Sequence, residues 1–256
     1  MFNMVRADLK RILLGKAIYR GIAFMFVYMF FMLVIVDFSP GELSPLYGAF
    51  TQGEMTTTMI LMTNTGMVGY LSVLPMLMIV GDDFKEGTLK NTICVGLSRT
   101  QFYLAKFTLA MMLAILIFIV YNIGGAGLLT FSQGVHFNYT AGDLLALLPA
   151  FGLQLLLFLA CTSIGVCFLF ITQKPGWVYS LMIILNLPFF IVAIVHNFFP
   201  PIWHLLYIDA FHSISTVVNF ANLPTSEIYR LLIVGLVYFI ISTALGLFLF
   251  NRRDIK

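Results

Sequence analysis

Residues 144–173 read LLALLPAFGLQLLLFLACTSIGVCFLFITQ, a run without a charged side chain. A helix needs about 20 predominantly apolar residues to cross the hydrocarbon core of a bilayer, and this run exceeds that length. Five more stretches of the chain also lack Lys, Arg, Asp and Glu: 21–36, 55–81, 107–142, 175–208 and 231–251. The sequence therefore predicts six transmembrane helices, near 17–36, 58–81, 104–130, 144–172, 176–199 and 230–250.

The overall composition excludes an ordinary soluble domain. Of the 256 residues, 61% are hydrophobic and only 10% are charged, whereas soluble domains average roughly 45–50% apolar and about 25% charged residues. A water-soluble protein this apolar would expose large patches that aggregate. No long linker, internal repeat or low-complexity tract divides the chain. We therefore predict a single all-α membrane domain over 1–256.

The basic residues are distributed unevenly across the predicted topology. Thirteen of the 14 Lys and Arg residues lie in the N-terminal segment, the second and fourth loops and the C-terminal tail, and only Arg230 lies on the other side. Because cytoplasmic loops are enriched in Lys and Arg, both chain ends are predicted to be cytoplasmic. The same enrichment accounts for the net charge of +3, so no nucleic-acid partner is expected.

Residues 1–16 are predicted to form an amphipathic helix at the cytoplasmic membrane surface, in contact with lipid. Helical periodicity separates an apolar arc from a charged one. The apolar arc contains Phe2, Val5, Leu9, Ile12 and Leu13, and the charged arc contains Arg6, Asp8, Lys10 and Arg11. A basic helix of this kind beside a span lies in the membrane interface. The alternative is an ordinary positively charged flank.

The loop 81–106 is the largest predicted cytoplasmic feature. Glu86 and Lys90 stand four residues apart, which favours a short helix over 86–94. Ser98 and Gln101 form a capping-box pattern at the start of the third span. A short helix between two spans can dock into a groove of a cytoplasmic partner, and a solvated turn is the alternative.

The loop 200–229 is unusually apolar for a segment on the outer side. Pro200 and Pro201 end a helix, and apolar residues then recur at helical spacing up to Pro224. Each piece is too short to span and too apolar to stay in water. We predict two short helices that dip into the outer leaflet, where neighbouring spans protect their backbone.

The sequence Glu86-Gly87-Thr88-Leu89, followed by Leu97-Ser98-Arg99 and by Lys106, resembles the permeases of ABC-2 type transporters. The predicted interfacial helix, six spans and re-entrant segments before the last span extend this resemblance over the whole chain. Gly96 stands where these permeases commonly have a proline, so the turn before the third span is expected to be looser.

The resemblance implies a transport subunit that is not itself an enzyme. A separate ATPase subunit, carrying ATP and Mg, would dock on the loop 82–99, and a second permease, identical or paralogous, would complete the pathway. The implied ATPase-coupling residues are Asp83, Phe84, Lys85, Glu86, Gly87, Thr88, Leu89, Lys90 and Arg99. Within the family, bacterial exporters of peptides such as lantibiotics and bacitracin are the most similar, which implies a bacterial plasma membrane.

Motifs for catalysis or cofactor binding are missing from the sequence. It has no phosphate-binding loop of the G-x-x-x-x-G-K-[ST] type, and its histidines accompany no metal-ligand or paired-carboxylate pattern. We therefore expect no bound cofactor, no metal and no catalytic residue. An intramembrane protease or lipid transferase is correspondingly disfavoured. The main alternative function is the substrate-binding membrane subunit of a vitamin-type importer.

The amide side chains of Asn64, Asn122, Gln154 and Asn186 fall inside the predicted spans. Polar groups are costly in a bilayer, and they mark either a translocation pathway or a contact between helices. Small residues spaced by four also predict helix contacts, at Cys161 and Gly165 and at Ser242 and Gly246.

Overall fold

The computed structural model describes residues 2–15, 98–133, 141–195, 199–217 and 223–252, with single positions at 19, 22, 23, 26, 27, 30 and 220. Throughout these ranges the regular elements are helices, which confirms the all-α class. They are α1 (Phe2–Leu14), α2 (Arg99–Gln133), α3 (Ala141–Thr172), α4 (Pro175–Val195), a 3₁₀ helix (Pro200–Ile208), α5 (Ala210–Thr216) and α6 (Thr225–Arg252). The predicted span 58–81, most of 17–36 and the loop 82–97 lie outside the described residues.

Three described helical segments are long and apolar enough to cross a membrane: Arg99–Gly124, Leu148–Thr172 and Thr225–Arg252. A fourth apolar segment, Gly176–Phe189, is shorter. Length and composition are thus consistent with a membrane protein, and the count of six spans stays a prediction. Helix α2 begins five residues before the predicted start of its span at 104, at the position that the capping-box pattern indicates.

Helices α3 and α6 run parallel to each other in the core of the bundle. Residues that face each other across this interface are always 79 positions apart in the sequence, as expected for two parallel helices. The pairs are Leu156 with Gly235, Ser163 with Ser242, and Cys167 with Gly246. The Ser163 and Ser242 hydroxyls are hydrogen-bonded to each other inside this interface. The predicted contact role of Ser242 and Gly246 is confirmed, because both are buried against α3.

Helix α2 runs antiparallel to both α3 and α6. As the sequence of α2 advances, its contacts on α6 occur at earlier positions: Arg99 contacts Asn251, and Phe107 contacts Phe239. Four aromatic rings join the three helices near the start of α2. They are Phe102, Tyr103, Phe170 and Phe250, all almost fully buried, with the Phe170 ring centroid 4.7 Å from that of Tyr103 and 4.9 Å from that of Phe250.

We call the end of the bundle formed by the first turn of α2 and the last turns of α3 and α6 the basic end, because Arg99, Lys174 and Arg252 lie there. A two-residue connection, Gln173 and Lys174, joins α3 to α4 at this end. Gln173 has a positive φ of 55°, a left-handed conformation that commonly ends a helix. We call the opposite end, where α6 begins, the far end.

The short helices before α6 form a folded segment that packs on α3, α4 and α6. The buried carboxylate of Asp209 accepts hydrogen bonds from the backbone N–H groups of Phe211 and His212, at 3.2 and 3.0 Å. Asp209 is thus the N-cap of α5. At the far end, the Arg230 guanidinium donates to the Tyr207 carbonyl at 2.7 Å and pairs with Glu227 at 2.6 Å. Two short helices are therefore present where the sequence predicts them, while their depth in a membrane stays a prediction.

One face of α6 is exposed and almost entirely apolar. Only 22% of the most apolar 18-residue stretch of this helix is buried. Its exposed large side chains are Tyr229, Ile233, Leu236, Val237, Ile240, Ile241, Leu245, Phe248 and Leu249. Water does not tolerate an apolar face of this size on an isolated protein. This face therefore agrees with the composition in favouring membrane insertion.

Candidate functional site

The predicted coupling residues from Asp83 to Lys90 lie outside the described residues, as does Asn64. Arg99, the remaining coupling residue, is the first residue of α2. Immediately before it, the Ser98 hydroxyl accepts a hydrogen bond from the Gln101 N–H at 3.2 Å, and the Gln101 side chain accepts one from the Ser98 N–H at 3.4 Å. These reciprocal bonds confirm the predicted capping box. They define the start of α2 at Ser98.

The first turn of α2 is bonded to the last turn of α6. Nη1 of Arg99 donates a hydrogen bond to the Asn251 carbonyl at 3.2 Å, and the Asn251 amide donates to the Thr100 hydroxyl at 3.2 Å. The last carbonyls of a helix have no partner within it, and a cation is favourable beside them. Arg99 therefore anchors α2 to the C-terminal end of α6 in addition to its predicted coupling role.

Lys106, which the sequence analysis singled out only through the family resemblance, is the most deeply buried charged side chain described here. Its ammonium forms an ion pair with Asp8 of α1 at 2.6 Å, and the two side chains are 2% and 15% exposed. The ammonium also lies 5.6 Å from the centroid of the Phe102 ring. A buried ammonium needs a counter-ion, because the cost of removing it from water is otherwise uncompensated.

The Asp8–Lys106 contact differs from the predicted arrangement of α1, which placed Asp8 on the charged, outward arc. Instead, Asp8 borders the arc that contacts the protein: Ile12 is 4% exposed, and Val5 and Leu9 pack against the core cluster. Arg6, Lys10 and Arg11 remain on the exposed side. The signal was present in the sequence, since Asp8 is the only acidic residue among the first 36 and Lys106 lies in an apolar helix.

The predicted polar residues of the spans are placed by the packing of the helices. Asn122 and Gln154 are both buried. The rings of Phe118 and Phe158 are in contact, and Asn122 lies one turn after Phe118 whereas Gln154 lies one turn before Phe158, so the two antiparallel helices bring both polar residues to a similar depth. The amide groups of Asn122 and Asn186 donate to carbonyls four residues earlier in their own helices, at 2.8 and 3.0 Å. Burial between two helices favours a contact role for Asn122 and Gln154 over a pathway through this chain alone.

A second polar site, which sequence reasoning missed, surrounds Asp209. Asp209 lies within electrostatic range of Cys161 and Tyr238, near the middle of α3 and α6. Burial raises the pKa of the Asp209 carboxyl above its ordinary value, while the two N-cap hydrogen bonds partly oppose that shift. The sequence does carry an indication of this role. Asp209 directly precedes Ala-Phe and an apolar run with helical periodicity, which is the pattern of a helix N-cap. The hydrogen bonds assign Asp209 a structural capping role.

Within the described part of the chain, no three His, Cys, Asp or Glu side chains come together in a way that could hold a metal ion. At the basic end, polar contacts connect α2 to α6 and to α1. Three contacts converge there, from Ser98 to Gln101, from Arg99 to Asn251 and from Lys106 to Asp8. Comparison of the chain with protein-family models, with curated proteins and with solved structures found no match.

Proposed function

We propose that this chain is the transmembrane permease subunit of an ATP-driven transporter of the ABC-2 type, exporting a peptide, an antibiotic or a lipid-like amphiphile. A separate ATPase subunit supplies the energy by docking on the loop 82–99, and a second permease completes the pathway. The observation that carries this proposal is the anchoring of α2 directly after that loop. Its first two turns are bonded to α6 through Arg99 and to α1 through Lys106.

A transport subunit without its own ATPase must convert movement of a partner into movement of its helices. A force applied to the residues before Ser98 acts first on the start of α2, because these residues precede it directly in the chain and the capping box begins the helix at Ser98. From there, contacts within two helical turns lead to α1, α3 and α6. The architecture therefore suits energy input at the basic end.

The distribution of charge supports the basic end as the cytoplasmic side of a bacterial plasma membrane. Exposed cations lie on α1 (Arg6 and Lys10), on the α3–α4 connection (Lys174) and at the end of α6 (Arg252). The positive-inside rule assigns such an end to the cytoplasm. With this orientation both chain ends are cytoplasmic, and the short helices before α6 face the outer leaflet.

Purification of the tagged chain from its native membrane tests the proposal. We expect a soluble subunit carrying the G-x-x-x-x-G-K-[ST] motif to co-purify and to hydrolyse ATP. Deletion of 84–94 should abolish this association, and Glu86→Lys should weaken it at least tenfold. Lys174→Glu is the matched control, since it reverses an exposed charge at the same end outside the proposed docking loop.

Association and ATP hydrolysis that persist unchanged after deletion of 84–94 would refute docking on this loop. Tight binding of one small molecule by the chain without any ATPase would favour the importer alternative instead. Arg99→Glu is a poorer test than Glu86→Lys, because it also breaks the hydrogen bond to Asn251.

A further inference from the structure

We propose that Asp8 is a positioning residue for energy coupling, because its ion pair with Lys106 makes α1 and α2 move as one unit when an ATPase displaces the loop 82–97. This inference rests on the proposed function and adds a mechanical role for α1. The sequence of α1 predicts a helix that lies on the lipid surface, whereas its contacts attach it to the first two turns of α2 and to the core cluster.

The geometry of the pair is that of a specific link between two elements. The Lys106 ammonium and the Asp8 carboxylate are 2.6 Å apart, and the lysine side chain is 2% exposed. The same carboxylate lies 3.6 Å from the Arg11 guanidinium, within α1 itself. Lys106 stands seven residues after Arg99, about 10 Å along the helix axis at 1.5 Å per residue. The link is therefore within two turns of the proposed docking loop.

Stability alone is a weak reason for such a pair. Buried ion pairs are often no more stabilising than apolar residues of similar volume, although breaking one by removing a single partner is strongly destabilising. The ion pair adds a contact between two specific positions of the helices, whereas apolar association is non-directional. Sliding of α2 along α1 would separate the buried Lys106 ammonium from the partly buried Asp8 carboxylate, so the pair favours one register between these helices.

The apolar contacts of α1 do not fix that register by themselves. Ile12, Val5 and Leu9 pack against the core through apolar atoms, and the basic residues Arg6 and Lys10 are exposed. Removing both charges of the pair should therefore leave α1 associated with the bundle but free to shift. That separates the positioning role from a role in folding.

Distance measurements between spin labels on the complex with its ATPase test the inference. The background has Cys94, Cys161 and Cys167 replaced by serine. One label pair, Lys10→Cys with Met112→Cys, spans α1 and α2, and a second, Lys10→Cys with Lys174→Cys, spans α1 and the α3–α4 connection. Each distance is compared without nucleotide and with ATP plus vanadate. All three labelled positions are exposed.

With Asp8 and Lys106 intact, we expect the α1–α2 distance to stay constant while the distance from α1 to the α3–α4 connection changes. In the double variant Asp8→Leu/Lys106→Met, which leaves no unpaired buried charge, ATPase binding should persist. Its α1–α2 distance distribution should broaden at least twofold, and its nucleotide-dependent change from α1 to the connection should fall at least twofold. The charge-exchanged variant Asp8→Lys/Lys106→Asp should restore the original distances. The control Arg6→Gln, on the exposed side of α1, should behave as the background.

A folded Asp8→Leu/Lys106→Met complex with unchanged distances in both states would overturn the positioning role. So would a background complex in which α1 shows no nucleotide-dependent movement. If no ATPase associates with the unsubstituted chain, the proposed function fails, and this inference with it, before any variant is compared.

Discussion

Gly246 lies where α6 approaches both α3 and α2 closely. A Cβ added there would lie 2.5 Å from the Tyr103 hydroxyl oxygen and 3.2 Å from the Cα of Cys167. The tyrosine is fully buried, and its hydroxyl donates to the Thr243 carbonyl, so neither neighbour can give way without breaking another contact. Small residues at such positions let two helix backbones approach closely.

We predict that Gly246→Ala lowers the free energy of unfolding by about 1–3 kcal/mol, the usual cost of overpacking a core. Gly152→Ala on α3 is the matched control, since nothing lies within 4 Å of its Cβ position. Alanine is favoured over glycine inside a helix by up to about 1 kcal/mol, so the control should be neutral or more stable. Unfolding in detergent, followed by circular dichroism, measures both. Equal stabilities for the two variants would contradict the close approach at Gly246.

Gln173 gives a prediction of the opposite sign. Its φ of 55° is a left-handed conformation that costs a residue with a Cβ about 1–2 kcal/mol, and glycine adopts it freely at some cost in chain entropy. Gln173→Gly should therefore raise the free energy of unfolding by about 0.5–1 kcal/mol. Gln173→Ala keeps the Cβ and should give no such gain. A glycine variant no more stable than the alanine variant, in the same detergent measurement, would argue against the left-handed turn.

At the level of single residues, the sequence was informative where chemistry is local. Ser98 and Gln101 form their capping box within four residues, so spacing alone predicted it. The partners of Lys106 and Arg99 are 98 and 152 residues distant along the chain. Such pairings depend on how the helices are arranged, which periodicity does not specify. Even so, one acidic residue in the first 36 was available as a counter-ion for Lys106.

Among the elements, α5 has a titratable N-cap residue, Asp209. Burial raises the pKa of the Asp209 carboxyl in the folded chain, so folding favours its protonated form. The stabilisation from the protonated carboxyl is fully present below the unfolded pKa of about 3.9. It is lost as the pH rises through the higher folded pKa.

Asp209→Asn keeps a good N-cap residue and cannot ionise. We therefore expect the melting temperature of the unsubstituted chain, relative to that of Asp209→Asn, to fall as the pH is raised from about 4 towards neutrality. Differential scanning fluorimetry of both proteins across this range measures the difference, in which the titration of all other groups cancels. A difference that rises with pH would mean that the N-cap bonds outweigh burial at Asp209.

Helix ends and helix contacts were predictable from the sequence to different degrees. Apolar length gave four of the helices, and prolines with an apolar periodicity gave the two short helices before α6. The Ser242–Gly246 spacing indicated the α6 contact face, but not that α3 would cover it or that the two helices run parallel. The two helices are parallel because the segment between α3 and α6 returns the chain to the far end. The sequence patterns do not indicate at which end of the bundle α6 begins.

For the molecule as a whole, the helix directions restrict the topology more tightly than hydropathy does. Helix α3 ends at the basic end, and α6, which runs parallel to α3, begins at the far end. Lys174, just after α3, and Ser226, in the first turn of α6, are both exposed. They must lie on opposite sides if the bundle crosses a bilayer, and the positive-inside rule predicts that Lys174 lies on the cytoplasmic side.

Single cysteines at these two positions test this arrangement, in a background with Cys94, Cys161 and Cys167 replaced by serine. A membrane-impermeant maleimide should label Ser226→Cys in intact cells and Lys174→Cys only after permeabilisation, with at least a tenfold difference between the positions. Labelling of both from the outside would contradict a bundle that spans the bilayer. Exchange of the two sides would keep the spanning bundle and reverse its orientation. Because the loop 82–97 directly precedes α2 at the basic end, that exchange would also remove the proposed docking surface from the compartment that contains ATP.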